Sequence, residues 1–153
     1  MTPSKTNEPR LASSVPASPS AQPEANPAKT DRKRILVVDD QVNITRLLKL
    51  NLEQTNLYLV RTENDARAAL AAAKEFQPHL ILLDVMMPGM DGGRLAAQFQ
   101  ASPELKSVPI IFLTATVTHD EVLQRGGLVG GLPFLAKPVN LAEVLRCLRQ
   151  HLR

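Results

Sequence analysis

The stretch His79–Gly93, HLILLDVMMPGMDGG, decides how the chain is read. Leu80–Leu83 is an unbroken apolar run that ends on one carboxylate, Asp84, before Pro88, Gly89 and Gly92 break the pattern. Such a run reads as a strand buried on both faces, and Met87-Pro88-Gly89 marks a loop leaving its carboxyl end. In open α/β sheets that edge is where ligands bind, so Asp84 is the residue to explain.

The pattern recurs outward from this stretch. Ile35–Val38 is a β-branched-rich run ending on Asp39 and Asp40, Val108–Leu113 ends on Thr114, and Pro133–Ala136 ends on Lys137. Leu57–Thr62 is less continuously apolar and fits a sheet edge. Helical spacing separates these runs. Ile44, Leu47, Leu48 and Leu52 share a face after Asn43, a candidate N-cap. Ala66, Ala69, Leu70 and Ala73 form a small-residue face after a second candidate cap, Asn64, and Pro78 stops that helix. A third helix is expected from about Gly92, with Leu95 and Phe99 four apart, ending by Pro103. Thr118 and Glu121 have capping-box spacing for a further helix. Gly126, Gly127, Gly130 and Gly131 should keep it short, because glycine disfavours helix by about 1 kcal/mol relative to alanine. Asn140 and Glu143 repeat the capping spacing before the apolar stripe Leu141, Val144, Leu145, Leu148 and Leu152. Five strands alternating with five helices predict a doubly wound α/β sheet of parallel strands.

Composition bounds the rest. The 153 residues suit one domain with a core that needs no disulfide or structural metal. Residues 1–31, rich in Pro, Ser and Ala with almost no large apolar side chains, are expected to be a disordered tail; residues 32–153 are the folded domain. The excess of 18 Lys and Arg over 15 Asp and Glu is small and spread out. Arg32-Lys33-Arg34 and Arg146, Arg149 and Arg153 read as a collar before a strand and a solvated helix face, so no nucleic-acid partner is expected. Cys147 is the single cysteine and reads as a buried, inert thiol in a reducing compartment. No apolar run approaches the roughly 18 residues that cross a bilayer, and the N-terminus lacks a secretory h-region. The expectation is a soluble, cytoplasmic protein with no membrane partner. His79, His119 and His151 are isolated and read as surface or capping residues.

Alternation of strands and helices brings the strand ends Asp39-Asp40, Asp84, Thr114 and Lys137 to one edge. Carboxylates this close raise each other's proton affinity unless a cation intervenes, and an oxygen-rich cluster suits a hard divalent ion, Mg²⁺ before others. The arrangement points to phosphoryl chemistry.

The motifs VVDD ending at Asp40, LLDVMMPGMDG around Asp84, LTA at Thr114 and the Lys137-Pro138 pair together resemble the receiver domain of bacterial response regulators. The resemblance covers about residues 33–153. It implies a flavodoxin-like five-stranded parallel sheet, order 2-1-3-4-5, with five helices. It further implies that Asp84 takes a phosphoryl group from a sensor histidine kinase or a histidine phosphotransfer protein. Asp40, Asp84 and the backbone carbonyl of Met86 would ligate Mg²⁺, with Asp39 acting through a bound water. Lys137 and Thr114 would contact the phosphoryl oxygens, and Lys137-Pro138 would be a cis peptide. Such a domain catalyses only its own phosphorylation and dephosphorylation. The family's switch couples Thr114 to an aromatic residue, here Phe134, which lacks the hydroxyl common at that position and could equally be a plain core aromatic. Met86 and Thr116 fall where the family tunes dephosphorylation, and Met86 is expected to shield the site.

Because the chain ends with the terminal helix, the expectation is a stand-alone response regulator that docks an unknown downstream protein. Two alternatives stay open: an Asp-nucleophile phosphatase of the haloacid dehalogenase type, which generally has a second acid where this chain has Met86, and a receiver-like scaffold independent of phosphorylation.

Overall fold

Side chains along each central strand point alternately to two faces, and here both faces are apolar, so the sheet must be covered on both sides. The computed structural model describes residues 31–115, 128–129 and 132–152, and those from Arg32 onward belong to one compact unit. In chain order the elements are β1 (Lys33–Val38), α1 (Val42–Gln54), β2 (Tyr58–Glu63), α2 (Ala66–Phe76), β3 (Leu80–Asp84), α3 (Gly92–Ala101), β4 (Ile110–Thr114), β5 (Leu128–Val129), β6 (Leu132–Ala136) and α4 (Leu141–His151). The strand order is β2-β1-β3-β4-β6-β5. All pairs are parallel except β5 with β6. Counting the parallel strands alone, the order is the expected 2-1-3-4-5, with β2 at an edge.

Ile35, Val37, Leu80, Leu82, Ile111 and Leu113 face Leu48 and Leu52 of α1 and Val144 and Leu148 of α4. Leu36, Val38, Ile81, Leu83, Ile110 and Phe112 face Ala66, Ala69 and Ala73 of α2 and Leu95 and Phe99 of α3. Two cores, one on each face, thus fix the register and bring the carboxyl ends of the strands level. Cys147 lies within the first core, as expected of a structural thiol.

Several local expectations change. The N-cap of α1 is Gln41, not Asn43, because Asp39 Oδ1 accepts from Gln41 N–H at 2.9 Å and turns the chain into the helix earlier. The N-cap of α2 is Asp65, not Asn64; its carboxylate accepts from Arg67 N–H at 2.9 Å and leaves the Asn64 side chain for another role. Asn140 does cap α4, accepting from the amides of Ala142 and Glu143. The last strand is joined by the two-residue antiparallel β5, which falls among the glycine doublets and was too short to leave a pattern. The helix expected from Thr118, the glycine doublets, His119, Thr116 and the tail before Asp31 lie outside the described residues. No described helix is long and apolar enough to cross a membrane.

Candidate functional site

Each acidic residue reaches the sheet edge for a local reason. Asp39 follows the last residue of β1 and its backbone N–H still donates to Glu63 O on β2, at 3.1 Å, so its fully buried side chain is rigidly placed. Asp40 follows, half-buried. Asp84 is the last residue of β3 and is 3% exposed, held by the flanking strands β1 and β4. One oxygen from each of Asp39, Asp40 and Asp84 lies within 4.8 Å of the others.

Lys137 arrives from the opposite side, just past β6, where its N–H donates to Thr114 O at 2.8 Å. Its Nζ lies 2.7 Å from Asp39 Oδ2 and 3.2 Å from Asp84 Oδ1, and 3.5 Å from Gln41 Oε1. The Lys137-Pro138 peptide is cis, as the resemblance implies. Burial first, and then the neighbouring Asp39 charge, push the Asp84 carboxyl above the usual carboxylate range, an effect that Lys137 only partly offsets. Burial alone would lower the Lys137 pKa, but the Asp39 and Asp84 carboxylates outweigh it and raise the ammonium's pKa. The ammonium is therefore held charged between two acids.

The donor set fits a hard divalent cation. It is all oxygen, as Mg²⁺ prefers. Asp39 Oδ2 is buried and lies against the Lys137 ammonium at 2.7 Å. One ammonium shared by Asp39 and Asp84 leaves the three clustered carboxylates in excess of the positive charge beside them, a surplus that a bound divalent cation would offset. Asp40, Asp39 and Asp84 could hold that ion.

The remaining predicted residues are close by in the fold. Thr114 ends β4, 1% exposed, paired in register with Ala136. Phe134 sits two positions earlier on β6, its ring stacked on Phe112 with centroids 5.0 Å apart. Met86 N–H donates to Asp84 Oδ1 at 3.4 Å, while its side chain is exposed at 63% and Met87 is the buried member of the pair. Three contributors were not read from the sequence: Gln41 beside Lys137, Asn64 behind Asp39, and Gly92. A Cβ on Gly92 would overlap Asp84 O and come within 2.8 Å of Val85 Cα, so only glycine lets α3 start this close to the end of β3. Its place in the MDGG sequence after the breakers was the one available signal.

With fold and site in place, the similarity to known proteins is specific. Residues 35–149 match the response regulator receiver domain family, and the chain belongs to it. The transcriptional regulatory protein ResD of Bacillus subtilis is 38% identical over 125 residues, 82% of this chain and 50% of its own length. Response regulator PleD of Caulobacter vibrioides is 40% identical over 107 residues, 70% of this chain and 23% of its own. The chain thus spans half or less of these relatives. The chemotaxis response regulator CheY4 of Vibrio cholerae superposes with a TM-score of 0.67 at 33% identity, covering 79% of this chain and 99% of that one. A receiver domain is a phosphoacceptor signalling module that partners with histidine kinases, and the acidic triad is of the kind receivers use for Mg²⁺. Family membership sets aside the haloacid dehalogenase alternative.

Proposed function

We propose that Asp84 is the phosphoacceptor of a Mg²⁺-dependent response regulator, taking its phosphoryl group from a phosphohistidine on a sensor kinase or a histidine phosphotransfer protein. The observation that carries this reading is the convergence of Asp39, Asp40 and Asp84 with the Lys137 ammonium, 2.7 and 3.2 Å from two of them. An oxygen of Asp84 attacks phosphorus in line; the bond from phosphorus to the donor imidazole breaks and its electron pair returns to that nitrogen. Mg²⁺ held by Asp40, Asp84 and the Met86 carbonyl, with Asp39 acting through water, would offset charge on the phosphoryl oxygens. Lys137 leaves part of its hold on the carboxylates to pair with another of those oxygens, and Thr114 donates a hydrogen bond to one. The Met86 amide keeps Asp84 oriented for attack.

The output follows from Thr114. When its hydroxyl is drawn to the phosphoryl group, Phe134 shifts beside it, and the changed surface is read by a downstream protein. The stack of Phe134 on Phe112 gives the alternative, inactive packing its stability. Met86 and Thr116 set how readily water reaches the acyl phosphate. The domain begins after Asp31, acts in the cytoplasm and uses no nucleic-acid or membrane contact of its own.

The test is labelling by acetyl phosphate with and without Mg²⁺, in wild type and Asp84→Asn. Label confined to wild type with Mg²⁺ supports the assignment; equal label in the Asn variant refutes it.

A further inference from the structure

Past the last backbone pairing of β1 with β2, one rung of the ladder is made by a side chain. Lys33 N–H donates to Leu57 O at 3.0 Å, and the same distance along both strands Asp39 N–H donates to Glu63 O at 3.1 Å. In a parallel ladder each residue facing its neighbour donates and accepts in turn, so Asp39 O should next receive the backbone N–H of Asp65. That amide is engaged elsewhere. It donates to Glu63 Oε2 at 3.2 Å as the chain leaves the sheet and Asp65 becomes the N-cap of α2.

Asn64 supplies the rung instead. Its Nδ2 donates to Asp39 O at 2.7 Å and to Thr45 Oγ1 at 3.0 Å. Thr45 is buried on α1, and its own hydroxyl donates to Val42 O at 3.1 Å, so the acceptor is itself held in place. One carboxamide therefore ties the end of β1 to the first turn of α1.

The carbonyl it holds belongs to the peptide joining Asp39 to Asp40. A peptide unit is planar, so fixing its oxygen also fixes the Asp40 amide and the two Cα atoms from which the side chains leave. The Asp39 carboxylate adds a second tie in the same turn, accepting from Gln41 N–H at 2.9 Å. Among the described residues Asn64 is the donor that meets Asp39 O, and losing it would loosen the peptide at that carbonyl.

We infer that Asn64 is a positioning residue of the acidic site: its carboxamide locks the Asp39–Asp40 peptide and so holds the adjacent carboxylates in their cation-binding arrangement. The functional half of this inference rests on the proposed Mg²⁺ site, whereas the lock itself can be read without the metal. Groups of this kind behind a metal site change affinity by about tenfold or more when removed.

The experiment uses the full chain and two readouts. Amide hydrogen exchange in Mg²⁺-free buffer should quicken about tenfold at Gln41 in Asn64→Ala, with Ile35–Val38 unchanged, and Mg²⁺ affinity by calorimetry should fall about tenfold. Thr45→Val, which keeps the bond to Asp39, should do less on both counts. Asn64→Asp has the same shape but no donor; it keeps the exchange test open should the alanine variant fail to fold. Unchanged Gln41 exchange, unchanged Mg²⁺ affinity, or faster exchange spread evenly along β1 would overturn the role. Wild type that takes up no Mg²⁺ while Gln41 still responds to Asn64→Ala would sink the cation reading and leave the lock standing.

Discussion

Lys137 Nζ lies closer to Asp39 Oδ2, at 2.7 Å, than to Asp84 Oδ1, at 3.2 Å, so the ammonium is tied chiefly to the acid beside the proposed nucleophile. Lys137→Met would leave two almost fully buried carboxylates facing each other. Removing one partner of such a cluster costs about 3 kcal/mol. The variant should melt at a lower temperature in Mg²⁺-free buffer, and added Mg²⁺ should raise its Tm more than that of wild type. Equal Tm values without Mg²⁺ would count against the arrangement.

Gly92 carries a steric constraint with a readable sign. Alanine would favour the helix by about 1 kcal/mol, but its Cβ would collide with the Asp84 and Val85 backbone, which cannot move without shifting the end of β3. We expect Gly92→Ala to destabilise the fold by about 2 kcal/mol in urea unfolding. A neutral or stabilising effect would show that the α3 start is looser than described.

His79 gives the fold a pH dependence remote from the acidic edge. Its Nδ1 accepts from the Arg34 backbone N–H at 2.9 Å, while the His79 backbone N–H donates to Arg34 O at 2.8 Å, bridging the starts of β1 and β3. Burial, then the charges of Arg34 and Lys33, depress its pKa below the ordinary 6.5. The unfolded chain therefore takes up the proton first. The contribution of His79 is complete above pH 6.5 and is lost as pH falls below that value toward the folded pKa. In His79→Gln the slope of stability against pH over that window should shrink; an unchanged slope would contradict the assignment.

Much of the fold was legible because strands buried on both faces leave continuous apolar runs, and because each central run stops at the polar residue that forms the site. Caps were harder. Asn43 and Asn64 have the right chemistry for N-caps, yet Asp39 turns the chain into its helix already at Gln41 and Asp65 captures the Arg67 amide, a competition that spacing along the chain cannot rank. The rung made by Asn64 joins residues 25 apart and becomes visible only once β1 and β2 are paired. β5 has only two residues, below any period.

Cys147 should resist modification. Burial pushes its thiol to about 11, so at pH 8 about a thousandth is thiolate. Alkylation should be slow in the folded protein and rapid in denaturant; equal rates would show that the α4 face opens readily.

Met86 bears on the lifetime of the proposed phosphoryl group. Met86→Asn, placing a polar group beside Asp84, should change the dephosphorylation rate by about tenfold by positioning or repelling water. Decay of label after donor removal measures it, and an unaltered decay would assign the exposed Met86 side chain no part in water access.

The most direct test of the central claim is to locate the phosphoryl group itself. After Mg²⁺-dependent reaction with acetyl phosphate, borohydride trapping and peptide mass spectrometry should place the modification on Asp84 in wild type and detect none in Asp84→Asn. A modification mapped to another residue, or persisting in the Asn variant, would contradict the account.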